Sequence, residues 1–159
     1  MNILIKIKEQ ELSLFDNDGD IIRQYPIASA KNGTGQLVGS ECTPLGKHII
    51  RAKIGENCAE NTIFSGRRPT GEIYCESYNV EFPDRDWILT RIMWLSGTEV
   101  GKNRLGDVDT MRRYIYIHGC PDNDEMGVPS SHGCIKMRND DIIELFELVK
   151  PGTEVLIES

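Results

Sequence analysis

Apolar residues at the start of the chain recur at every second position. In Asn2 to Lys8, Ile3, Ile5 and Ile7 fall on one side, and Leu4 and two lysines on the other. A period of two predicts a strand. Glu9-Gln10 connects it to a second run, Leu12 to Phe15. Asn17-Asp18-Gly19-Asp20 reads as a turn, because Asp-Gly reaches positive φ at little cost. Ile21 to Ile27 follows as a third strand, so the chain is predicted to open as a β-meander.

Further on, the period weakens. Ala28 to Thr43 is rich in Gly, Ser and Thr and reads as a long surface loop, either a flexible connection or the lining of a site. Thr43-Pro44-Leu45-Gly46 is a turn and Lys47 to Ala52 a strand. Residues 55–87 show no clear period. Ile88 to Leu95 reads as a mostly buried strand that carries Arg91, 97–113 is polar and irregular, and Tyr114 to His118 reads as the next strand.

One helix stands out. Asn139 is placed to cap it, Asp140 and Asp141 occupy a first turn that favours anions, and Ile142, Leu145, Phe146 and Val149 share a face. Lys150 falls in the expected last turn, Pro151-Gly152 stops the helix, and Thr153 to Glu158 reads as a final strand. Many short strands and one late helix predict a mainly β fold. We expect a β-sandwich or barrel-like sheet with one α-helix packed near residues 139–150, as a single domain over residues 1–159.

Charge and cysteine content narrow the function. Eighteen Lys and Arg oppose 25 Asp and Glu, for a net charge of −7, and no basic run is present. Nucleic acid and anionic lipid are therefore poor partners. No stretch approaches the roughly 18 apolar residues of a membrane span, so no membrane insertion is expected. The N-terminal stretch mixes Lys and Glu into its apolar run, unlike a secretory signal. That favours a cytoplasmic location for a full-length chain; a periplasmic or envelope location would require a signal already removed. The five cysteines, at positions 42, 58, 75, 120 and 134, are odd in number and irregular in spacing, which reads as mostly free thiols.

The chemistry concentrates in Tyr114 to Met137, where His-Gly-Cys occurs twice, at His118-Gly119-Cys120 and His132-Gly133-Cys134. A strand that delivers His118 to a loop, and a chain that returns with Cys134, can build a Cys/His nucleophilic site, since a thiol needs such a neighbour to react near neutral pH. Amides of a tight turn at His132, Gly133 and Cys134 could face a developing oxyanion. Two other readings use the same residues. His118, Cys120, His132 and Cys134 could ligate zinc in a non-enzymatic binding module. Cys120 and Cys134 could join as a disulfide, or Cys120 act as a redox partner. Cys42, Cys58 and Cys75 read as structural cysteines, and His48 as a surface or strand histidine.

The pattern Ile-His-Gly, then Ser-His-Gly-Cys-Ile-Lys-Met, resembles the catalytic motif of the L,D-transpeptidase (YkuD) family. Thr43-Pro44-Leu45-Gly46 and the ending Pro-Gly-Thr-x-Val-x-Ile are similar too, so the resemblance spans roughly residues 3–158. It implies Cys134 as nucleophile, His118 as its base, and Gly119 at the position that orients the histidine. It also implies Ser131, His132 and Gly133 as the turn and oxyanion residues. The implied substrate is a peptidoglycan stem tetrapeptide or soluble muropeptide, cleaved before its terminal D-alanine through a thioester, with no metal or cofactor. The acyl group would pass to an amine, as in a transpeptidase, or to water, as in an L,D-carboxypeptidase of muropeptide recycling. Many members carry arginine where this chain has Lys136, which offers a point charge in place of a bidentate fork. Arg138, Arg113 or Arg91 are the candidates to bind substrate in its stead.

Overall fold

The computed structural model describes all residues, 1–159. The opening meander forms as β1 (Asn2–Lys6), β2 (Glu11–Phe15) and β3 (Ile21–Pro26). β4 (Gly46–Ile54) is followed by a hairpin, β5 (Thr62–Ser65) and β6 (Arg68–Ile73), and a short helix, α1 (Glu76–Glu81). Then come β7 (Leu89–Gly97), β8 (Tyr116–Gly119), β9 (Ile135–Met137), α2 (Asn139–Leu148) and β10 (Glu154–Glu158). All ten strands belong to one curled sheet, in the order β3-β2-β1-β10-β4-β7-β5-β6, with β8 paired to β7 and β9 to β8. The fold is mainly β with α2 packed on the sheet, as the short strands and single amphipathic stretch predict. No helix is long and apolar enough to cross a membrane.

Strand parity sorts the two faces of the sheet. Met93 and Leu95 of β7, Ile117 of β8, and Ile135 and Met137 of β9 point into the main core. There they meet Ile142, Leu145 and Phe146 of α2, and Ile3, Ile5, Val155 and Ile157 of β1 and β10. The alternate positions, Ile92 and Trp94 of β7 and Tyr116 of β8, fall on the opposite face, together with Phe64 and Cys134. The opening stretch therefore builds core with one parity and presents chemistry with the other.

Several expectations are corrected. Ala28, Ser29 and Ala30 are fully buried, so this part of 28–43 is not a surface loop. Their small side chains let the backbone bridge to Lys136 and Ser131, while Gln10 satisfies Ser29 through both its backbone N–H and its hydroxyl. Asn139 does not cap α2; it is the first helical residue, with Arg138 at the cap position and no side-chain cap bond. Lys150 lies beyond the helix, which ends at Leu148. The strand β9 and the whole of β5, β6 and α1 had no legible period, because β9 is only three residues long and every residue of β6 is exposed.

Candidate active site

β8 and β9 run parallel, with Ile117 opposite Ile135 and His118 opposite Lys136. Tyr116 is thus level with Cys134, and His118 stands diagonally across from it on the same face. The Cys134 Sγ accepts the Tyr116 N–H at 3.3 Å and faces the Tyr114 carbonyl oxygen at 3.4 Å, where the thiol hydrogen can be donated. Tyr114 adopts φ 58°, a left-handed conformation uncommon for an aromatic residue. That bend brings both backbone groups to the sulfur.

His118 is 2% exposed. Its Nδ1 lies 2.6 Å from the Gly119 carbonyl oxygen. A carbonyl only accepts, so Nδ1 carries the proton and Nε2 keeps its lone pair. Burial, the largest cause, lowers the His118 pKa; the Gly119 carbonyl, Asp86 and Asp124 oppose it. Burial also pushes the Cys134 thiol up to about 12, against the Tyr116 amide and Arg113, which lower it. Both shifts favour the uncharged forms, a neutral imidazole beside a protonated thiol.

Gly119 is held by a buried frame. Leu89 of β7 opposes Gly119 while Ile92 opposes His118, so Thr90 and Arg91 form a bulge beside the histidine. Thr90, at φ 75°, is a β-branched residue in the left-handed region. Its hydroxyl accepts from the Asn61 N–H and donates to the Asn139 Oδ1 at 2.6 Å. The Asn139 Nδ2 donates to Asn61 and to Asp122. A Cβ on Gly119 would lie 2.5 Å from Asn139 Oδ1 and 2.6 Å from the Leu89 carbonyl oxygen. Asn139, expected as a helix cap, instead braces the residue whose carbonyl fixes His118.

The turn before Cys134 is tied down at each residue. The Ser131 hydroxyl donates to the Cys134 carbonyl at 2.6 Å and accepts the Gly133 N–H at 3.2 Å. The Thr43 hydroxyl donates to the Gly133 carbonyl and accepts the Ala30 N–H. Gly133 sits at φ 133°, where a side chain would press on Ile115 and the Cys42 carbonyl. The His132 side chain turns outward, with its Nδ1 2.5 Å from an Asp86 oxygen. Among the turn amides, Gly133 N–H is engaged by Ser131, whereas those of His132 and Cys134 have no acceptor in the protein. The Cys134 amide, on the residue that carries Sγ, is available to an oxyanion there.

The four expected substrate cations have different surroundings. Arg113 donates to the carbonyls of Gly35, Gln36 and Cys42 and to the Ser40 hydroxyl, holding loop 35–42 beside the turn. Lys136 is buried, 2.8 Å from Asp124 and 3.2 Å from Ser130, and so fastens loop 121–130. Arg91 donates to the Thr90 and Cys58 carbonyls and lies over the Phe146 ring, on the side of α2. Arg138 is exposed at the start of α2. Arg91 and Arg138 do not join the ring of residues around Cys134, because the bulge turns Arg91 toward the helix and Arg138 lies past the end of β9.

The zinc reading is overturned by orientation. Cys120 Sγ faces the Met137 carbonyl, His118 Nδ1 the Gly119 carbonyl, and His132 Nδ1 Asp86. These side chains diverge, and no group of three ligating residues comes together. All five cysteines are free, so no Cys120–Cys134 bond is present. His48 is a strand histidine but not a surface one; it is buried between the Gly46 carbonyl and the Thr110 hydroxyl.

Comparison with known proteins gives the family and the fold. The family model of the L,D-transpeptidase catalytic domain, YkuD, matches residues 2–157, and the chain belongs to that family. YqjB of Bacillus subtilis is 44% identical over 45 residues, covering 28% of this chain and 26% of the relative. "Probable L,D-transpeptidase YbiS" of Escherichia coli is 49% identical over 43 residues, 27% of this chain and 14% of the relative. The segments matched are thus 26% and 14% of those proteins. Among solved structures, a mutant Enterococcus faecium L,D-transpeptidase superposes with a TM-score of 0.60 at 20% identity, over 99% of this chain and 49% of that one. L,D-transpeptidase 3 of Mycobacterium tuberculosis gives 0.60 at 15% identity, over 99% of this chain and 60% of the other. At such identities the likeness establishes the fold.

Proposed function

We propose that the chain catalyses acyl transfer on peptidoglycan stem tetrapeptides, with Cys134 as nucleophile and His118 as general base. The observation that carries this reading is the clamped pair: a thiol held by Tyr116 and Tyr114 on the same face as a histidine whose tautomer Gly119 fixes. Sγ attacks the carbonyl before the terminal D-alanine as its proton passes to His118 Nε2. The Cys134 N–H donates to the oxyanion. Collapse expels the D-alanine amine, which takes the proton from His118, and leaves a thioester on Sγ. An acceptor amine then gives its proton to His118, attacks the thioester and restores the thiol. Family membership supports an amine acceptor. Water in the same position gives the L,D-carboxypeptidase reaction.

A related structure is of an avibactam carbamoyl enzyme and another is a complex with imipenem. By analogy, a carbapenem should add its mass to this chain at Cys134. Incubation with a disaccharide tetrapeptide and an excess of acceptor peptide, followed by mass spectrometry, tests the reaction. Cross-linked dimer and free D-alanine are expected. Tripeptide alone at saturating acceptor would replace the transferase reading with the hydrolase one, and intact tetrapeptide would overturn both.

A further inference from the structure

β5 and β6 are joined by a two-residue loop, Gly66-Arg67, with Ser65 opposite Arg68. Both loop residues have positive φ, 54° and 64°. This is the hairpin geometry that normally selects Gly, Asn or Asp at each position. An arginine there is held against the local backbone preference, by about 1 kcal/mol.

Its side chain occupies a defined place. The guanidinium carbon lies 4.6 Å from the centre of the Trp94 ring and 4.9 Å from that of Tyr114, whose rings are 6.2 Å apart. It therefore sits in the corner between two aromatic rings. One amino group donates to the Tyr116 hydroxyl at 3.1 Å. Arg67 forms no ion pair, although acids outnumber bases in the chain by 25 to 18. The remaining donors of the fork have no partner in the protein.

Tyr116 links this cation to the reacting sulfur. Its backbone N–H bonds Cys134 Sγ, and its hydroxyl bonds Arg67. Arg67 is thus one tyrosine side chain away from the thiol. Of the cations considered, Arg113 and Arg91 are spent on backbone carbonyls and Lys136 on Asp124. A planar, aromatic-backed guanidinium with free donors is built to take a carboxylate in bidentate fashion.

We infer that Arg67, in the corner formed by Trp94, Tyr114 and Tyr116, binds a carboxylate on the side arm of the residue that supplies the reacting carbonyl. The inference rests on the acyl-transfer reading above. The length of Tyr116 selects this carboxylate. Where the third residue of the stem peptide is diaminopimelate, its distal carboxylate stands off from its own carbonyl by a chain of similar length. The carboxylate of the departing D-alanine is only one backbone unit from that carbonyl, a shorter reach than the Tyr116 side chain that separates the thiol from Arg67. Lysine at the same peptide position keeps the arm but lacks the carboxylate.

The test compares tetrapeptides with meso-diaminopimelate or L-lysine at the third position, on the wild type and on Arg67→Gln. Binding is read by calorimetry in the Cys134→Ala background, and D-alanine release in the active protein. The wild type should prefer the diaminopimelate peptide by about tenfold or more, in line with one charge-assisted bidentate contact. Arg67→Gln should lose that preference while binding the lysine peptide as before, and Arg67→Lys should recover part of it. A preference that survives in Arg67→Gln overturns the inference, as does a loss that falls equally on both peptides. Amidation of the terminal D-alanine that removes the Arg67 dependence would also overturn it, by assigning the other carboxylate. Because binding is read without the thiol, failure of the acyl-transfer reading shows separately, as wild type that binds the peptide but releases no D-alanine.

Discussion

His118 Nδ1 lies 2.6 Å from the carbonyl oxygen of the next residue, Gly119, and that short contact fixes which ring nitrogen is free to act. The carbonyl can hold this direction only because Gly119 has no side chain where Asn139 and the Leu89 carbonyl crowd it. Gly119→Ala should therefore lower turnover by about a hundredfold or more, the scale of an ångström-sized misplacement. Release of D-alanine measured beside a thermal melt checks it. Unchanged turnover would detach Gly119 from the chemistry.

Asn139 should behave as a positioning residue. Its amide satisfies Asn61 and Asp122, and its carbonyl oxygen accepts from Thr90. Asn139→Ala leaves those buried groups unpaired and should cost about 1–3 kcal/mol of stability. Denaturant unfolding measures that loss. A shifted pH–rate profile of the surviving activity would separate positioning of His118 from mere destabilisation.

The resting charge state has a pH signature. With the Cys134 thiol pushed up to about 12 by burial and the His118 pKa lowered by burial, the neutral pair persists across the physiological range. Turnover should rise with pH on an acid limb below the usual histidine value, as His118 loses its proton. Alkylation of Cys134 by iodoacetamide should still be climbing at pH 9 and above, because it follows the thiolate. A plateau below pH 8 would indicate a resting thiolate–imidazolium pair instead.

His48 is a second titrating group, away from the thiol. Burial lowers its pKa to about 4, against the Gly46 carbonyl and Glu99, which raise it, and with Lys102 and Arg113, which lower it further. The unfolded chain binds that proton near 6.5, so the contribution is fully present above that value and is lost as pH falls toward 4. The expected loss is about 3 kcal/mol, with His118 acting in the same direction. His48→Gln should flatten the fall in denaturant stability between pH 6.5 and 4 without changing the sign of the remaining slope.

Cys120 should be a bystander. It is 1% exposed, packs against Ala28 and Met126, and burial pushes its thiol up to about 12. It should resist alkylation until the protein unfolds, and Cys120→Ala should leave D-alanine release within about twofold.

Much of the frame was legible because strand parity and helical spacing record burial directly. Ile3 and Ile5, and Ile142, Leu145 and Phe146, lie in the core where their spacing puts them. His118 and Cys134 were singled out by the doubled His-Gly-Cys motif and its resemblance to the family, while the short β9, whose pairing with β8 puts both on one face, left no period of its own. What was hidden depended on contacts between distant segments. Asn139 has the composition of a cap, and only the approach of Thr90 and Asn61 shows its other use. Arg67 lies in a hairpin with no apolar alternation, so its aromatic corner, made by Trp94 and Tyr114, left no local trace. Lys136 and Arg91 were plausible anion binders by charge alone, until Asp124 and the Cys58 and Thr90 carbonyls engaged them.

The central claim is that the Cys134 sulfur carries the acyl group. It is tested most directly by the Cys134→Ala variant with a disaccharide tetrapeptide, read both as released D-alanine and as intact protein mass. The expected result is a transient adduct of the tripeptide acyl group on the wild type, mapped to Cys134, and neither adduct nor D-alanine from the variant. D-Alanine released by Cys134→Ala at the wild-type rate would contradict it.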